Sequence, residues 1–103
     1  GVPWTEAGII GSLMGEKLVL TELIAYGDLA KLIATNSISD RSAIIASYAL
    51  CGFANFASVG IQLGGIGGIA PERRKDLAKL GLKAMFGGAL ASWLTATIAG
   101  LLI

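Results

Sequence analysis

The sequence predicts an all-α membrane protein, with a re-entrant helical hairpin first and two membrane-crossing segments after it. Three observations predict this. Of 103 residues, 54% are hydrophobic and only 15% charged, and the mean hydropathy is +0.74, an apolar excess that so small a domain cannot hide in a core of its own. No charge falls between Arg41 and Glu72 or from Ala84 to Ile103, and each run reaches the roughly 20 residues that a helix needs to cross a bilayer. Ahead of Arg41 the apolar stretches are shorter and broken by charges.

Those short stretches define the hairpin, placed at residues 5 to 34. Ala7 to Gly15 (AGIIGSLMG) covers only about half of a ~30 Å hydrocarbon core at 1.5 Å per residue. Glu16 and Lys17 interrupt it, LVLT follows, and Glu22 opens a second short segment, LIAYGDLAKLIA. Two half-length helices meeting at a polar tip enter and leave on one side, and such backbone is tolerated at membrane depth only against protein or a watery cavity.

The loop TNSISDRS, residues 35 to 42, is dense in turn and cap residues, with Ser39 or Asp40 suited to cap the helix that starts near Arg41. The next segment is placed at residues 40 to 70. Pro71 suits the first position of the last helix and Glu72 its first turn. From Pro71 to Ile103 that helix would be about 50 Å long, longer than the hydrocarbon core, so its first turns lie among headgroups. Arg73, Arg74, Lys75, Lys79 and Lys83 mark that end as cytoplasmic. The last helix then runs outward, which leaves the C-terminus outside and opens the hairpin to the outside.

Several function classes drop out. With no histidine and one cysteine, Cys51, no internal disulfide, histidine-zinc site or Ser-His-Asp triad can be assembled, and no metal ligands or catalytic residues are assigned. No basic patch interleaved with aromatics suggests nucleic acid. GVPWTEAG has neither the charge nor the apolar run of a signal peptide, and without an initiator methionine it reads as the middle of a longer chain. Gly65, Gly67 and Ala70 match a G-x-G-x-x-A spacing, but no strand, βαβ unit or later acidic residue supports a dinucleotide site. The glycines are better read as helix-packing faces, since Gly60, Gly64 and Gly68 recur every four residues, as do Gly11 and Gly15.

The polar residues carry the sharper hypothesis. Asn55 and Ser58, three apart, share a helix face near the middle of an uncharged run, and Glu22 sits at the hairpin tip. An intramembrane carboxylate is a functional candidate by default. Together the three offer a carboxylate acceptor, an amide and a hydroxyl, which suits a neutral ligand rich in hydroxyls, and Phe53 and Phe56 could pack on its ring. The plainer reading stays open beside it: Glu22 as a first-turn acid favoured by the helix dipole, and Asn55 with Ser58 as interhelical glue. Gln62 reads as a lining group, and Tyr26, Trp4 and Trp93 as core or interfacial aromatics.

The run ALCGFANFASVGIQLGGIGGIAPERR (Ala49 to Arg74), with TELIAY (Thr21 to Tyr26) and GVPW at the start, closely resembles the C-terminal part of the concentrative nucleoside transporters. The resemblance covers essentially the whole chain: second re-entrant hairpin, a discontinuous seventh helix and a long eighth helix. The family's hairpin usually reads N-E-F-V-A-Y, where this chain has T-E-L-I-A-Y, keeping the glutamate and the tyrosine. It implies that Glu22, Asn55 and Ser58 hold the ribose, that Phe53 lines the pocket, and that the broken helix serves alternating access. It further implies import of nucleosides, without covalent chemistry, by a cation-coupled symporter of a bacterial inner membrane. The coupling cation, sodium or a proton, would be bound outside this segment, by the remainder of a chain that assembles as a homotrimer. A rival from another class is a small stand-alone membrane interaction or pore-forming protein that packs through its glycine faces, in which Glu22 substitutions would disturb assembly rather than ligand affinity.

Overall fold

The computed structural model describes residues 1–103 and contains helices and turns only. Helix α1 (Ala7–Val19) and helix α2 (Glu22–Ala34) are joined by Leu20 and Thr21, which forces them antiparallel. At 13 residues each, they are about 20 Å long and too short to span. The chain reverses because Leu20 leaves helical geometry and Thr21 is extended, its side chain accepting from the N–H of Ile24 at the start of α2. The hairpin is re-entrant.

Helix α3 (Asp40–Ala49) starts where Ser39, extended, accepts from the N–H of Ser42. Of the two residues suited to cap it, Ser39 is the cap and Asp40 the acid of the first turn. The uncharged run that follows is not one span. It divides into α3 and helix α4 (Phe56–Ile69), of 10 and 14 residues, separated by Leu50 to Asn55. A stop and a start signal lie almost side by side here. Gly52 has φ +98, a left-handed conformation that side-chain-bearing residues rarely adopt, and Asn55 is the extended N-cap of α4.

Pro71–Arg73 forms a single 3-10 turn that leads directly into helix α5 (Arg74–Leu102). The unit Pro71–Leu102 is the one helix long and apolar enough to cross a membrane. It sets the 50 Å long axis of the molecule.

The interior is a seam between the hairpin and α3, where Leu13, Ala25, Leu29, Ala46 and Leu50 are sealed together, with a second cluster of Ile45, Ala49 and Ala96 joining α3 to α5. Only 17 of 103 residues are buried, while Leu23, Phe53, Ile69 and Leu101 are among the large apolar side chains left exposed. Such a surface needs lipid or further protein against it.

Close backbone approach occurs at other glycines than the sequence pattern suggests. A Cβ on Gly81 would lie 3.1 Å from Val59 Cγ1, and one on Gly88 would lie 3.3 Å from Ala54 Cβ, so these two let α5 lie against α4 and the break. Gly11, Gly15, Gly60, Gly64 and Gly68 face open space within the chain. The four-residue glycine faces therefore pack on none of these helices.

Candidate functional site

Glu22 is the first residue of α2 and Asn55 the residue before α4, so two helix N-termini converge where they meet. The Asn55 Nδ2 donates to Glu22 Oε2 over 2.9 Å, and Asn55 Oδ1 accepts from the N–H of Ser58 over 2.8 Å. Asn55 is 1% exposed. Its amide is used on both sides: one atom caps α4, the other fixes the carboxylate of the hairpin tip. The partial positive charges of both helix starts favour an anionic group there.

Asn55 and Ser58 do not share a helix face as the spacing suggested. Asn55 is extended, outside the helix, and its relation to Ser58 is a cap rather than a stripe. The Ser58 hydroxyl makes no hydrogen bond within the chain, and neither does Glu22 Oε1, so an acceptor and a hydroxyl stay free beside the Asn55 amide.

A cavity of about 570 Å³ opens between α4 and α5. Phe53, Asn55, Ser58 and Gln62 line it, with Met85 opposite and the Arg73–Asp76 ion pair, 2.7 Å, at one end. Phe53 is 75% exposed. Glu22 does not line this cavity; it reaches the group through Asn55. The four sequence-derived candidates thus fall into one connected set, with Asn55 at its centre.

Three supporting residues escaped the sequence reading. Ser92 on α5 donates to the Cys51 carbonyl at the break, 2.6 Å, satisfying an acceptor that a continuous helix would have paired with the N–H of Asn55, which here turns to Phe53 instead. Tyr26, read only as an aromatic, donates its hydroxyl to the Ser47 carbonyl, 2.7 Å, and ties α2 to α3. Lys17, read as an interruption of the hairpin, is fully buried. The Ile10, Leu13, Lys17 spacing was the available signal for it, since it puts the lysine on the core stripe of α1.

Comparison with known proteins decides what these elements belong to. Residues 1–100 match the family pattern described as "Na+ dependent nucleoside transporter C-terminus". The chain belongs to the Na+-dependent nucleoside transporter family. This family segment is 53% identical over its whole length to the uncharacterized transporter YutK of Bacillus subtilis, of which it covers 25%. It is 40% identical, again over its whole length, to the nucleoside permease NupC of Helicobacter pylori, covering 25% of that protein. Among solved structures it resembles CNTnw in an inward-facing substrate-bound state with a TM-score of 0.92 at 48% identity, over 98% of this chain and 25% of that one. A doubly substituted CNTnw in an outward-facing state gives 0.91 at 47% identity, with the same coverage. The nucleoside-transporter segment spans about a quarter of the length of these relatives.

Proposed function

We propose that this segment is the C-terminal part of the transport domain of a cation-coupled nucleoside symporter, and that it binds the ribose. The observation that carries the reading is the Asn55–Glu22 hydrogen bond, which brings the hairpin tip to the start of α4. With Oε1 of Glu22 and the Ser58 hydroxyl unengaged, the set offers acceptors and a donor to a neutral, hydroxyl-rich ligand. Phe53, exposed at the adjoining cavity, supplies an apolar face for a sugar or base ring.

Transport would proceed by alternating access. The segment fits CNTnw equally well in an inward-facing and an outward-facing state, which supports a unit that keeps its internal geometry while the site changes sides. Sodium is the proposed coupling ion, with a proton as the alternative, bound by the portion of the transporter outside this chain. Replacing sodium by choline during uptake separates the two. The proposed setting is a bacterial inner membrane, with a homotrimer as the assembly. The basic first turns of α5 face the cytoplasm and the C-terminus lies outside.

Glu22→Gln in the complete transporter tests the assignment directly. A carboxylate accepting from ribose hydroxyls makes charge-assisted hydrogen bonds, so the substitution should weaken uridine binding by about 1.5 to 3 kcal/mol. Uridine affinity equal to that of the parent would refute the role of Glu22.

A further inference from the structure

Lys17 is buried where the fold gives no plain reason for a charge. It continues the inward stripe of Ile10 and Leu13 on α1, is 0% exposed, and its Nζ has no hydrogen-bond partner within the chain. An ammonium in such surroundings is strongly unfavourable unless an opposite charge balances it.

The groups that could do so are few. Glu22 opens the first turn of α2 directly across the Leu20–Thr21 reversal from the last turn of α1, which carries Lys17. The Tyr26 hydroxyl is committed to the Ser47 carbonyl. On α1, Glu16 turns to the other side, into a groove with Asp28 and Lys31. At the far end of α3, Arg41 is held by the carbonyls of Gly1 and Gly100. Helix α4 has no ionisable residue, and α5 does not touch the hairpin. Glu22 is thus the one carboxylate that shares the hairpin tip with Lys17, and it has no ion pair with any other cation of the chain.

We propose that Lys17 is a positioning residue for the nucleoside site, its ammonium balancing the Glu22 carboxylate across the hairpin tip and keeping it aimed at Asn55 and the ligand. The inference rests on the ribose-binding reading of Glu22. It also gives the tip a net charge of zero, so that a site handling an uncharged ligand carries no lone charge through low dielectric.

The test is a double-mutant cycle in the complete transporter, reading uridine Kd on purified protein. Lys17→Met should weaken uridine binding about tenfold or more, and Lys17→Arg should restore most of it. In the Glu22→Gln background, Lys17→Met should change Kd by less than about twofold, because its target has gone. An equal fold-change in both backgrounds would overturn the proposal and make Lys17 a packing residue or the partner of another group. Should Lys17→Met alone fail to assemble, the double variant decides: with both charges removed it should be recovered folded, and its failure would also overturn the proposal. Glu22→Gln with parental affinity would instead sink the ribose reading itself.

Discussion

Ser92 and Cys51 hold the broken helix to its neighbour: the Ser92 hydroxyl on α5 donates to the Cys51 carbonyl over 2.6 Å, one residue before Gly52 turns the chain at φ +98. Breaking a helix inside a membrane frees carbonyls that water cannot reach. Ser92→Ala should therefore lower the stability of the complete transporter by about 1 to 2 kcal/mol, seen as a reduced melting temperature in detergent. Gly52→Ala should do at least as much, since a Cβ there is strained at this φ and would lie 3.3 Å from Ser92 Oγ. Unchanged melting in both variants would show that the break is held elsewhere.

Asn55 performs two tasks that substitution can separate. Serine is as good an N-cap as asparagine, so Asn55→Ser should keep α4 anchored and hold melting within about 1 kcal/mol of the parent. It lacks the Nδ2 donor to Glu22, so the apparent KM for uridine should rise about tenfold or more. Asn55→Ala should lose both properties. Equal KM values for the serine variant and the parent would show that the Glu22 bond is dispensable.

The glycines divide into two groups with opposite expected responses. Gly81→Val should wedge α5 from α4, because even a Cβ would stand 3.1 Å from Val59 Cγ1, and overpacking of this kind costs about 1 to 3 kcal/mol. Gly60→Ala, which meets nothing within 4 Å, should be neutral or stabilising by up to about 1 kcal/mol through helix propensity. Melting of the complete protein checks both. A marked loss at Gly60 would reveal that the Gly60, Gly64, Gly68 face packs on the portion of the transporter outside this chain.

Glu6 provides a pH dependence with a definite sign. Its carboxylate, ahead of α1, accepts from the Ser42 hydroxyl and from the hydroxyl and N–H of Ser39. The Ser42 bond foremost, then those from Ser39, hold its pKa below the ordinary carboxylate value of 4.5. A group whose folded pKa is depressed contributes stability above its unfolded value and loses it as pH falls. The clasp between hairpin base and α3 should thus weaken on acidification through and below pH 4.5. Glu6→Gln should flatten that part of the melting-versus-pH curve; an identical curve would remove Glu6 from the account.

Much of this architecture was legible in the residues because membrane helices advertise their length. The charge-free runs, the half-length stretches around Glu16 and Lys17, the cap at Ser39 and the helical turn that opens at Pro71 each follow from local rules. The break inside Arg41 to Ala70 was harder to see, because every residue across it is uncharged and hydropathy has no contrast there. The clue was the short distance from Gly52, which favours a stop, to Asn55, which favours a start. Reading Asn55 and Ser58 as a helix stripe failed for the same reason: three residues apart is also the spacing of a cap and the N–H it accepts from. What no local rule could supply was the pairing of Asn55 with Glu22, or the seating of Ser92 at the break, since both join positions more than 30 residues apart.

That separation also sets an order in time. Glu22 and Asn55 lie 33 residues apart, so at roughly 5 to 20 residues per second of synthesis the hairpin tip exists for some two to seven seconds before its partner emerges. During that interval the carboxylate of Glu22 has no Asn55 amide to receive it. The Glu22–Asn55 pair is therefore a late product of biosynthesis, completed only when the second half-helix arrives to close it.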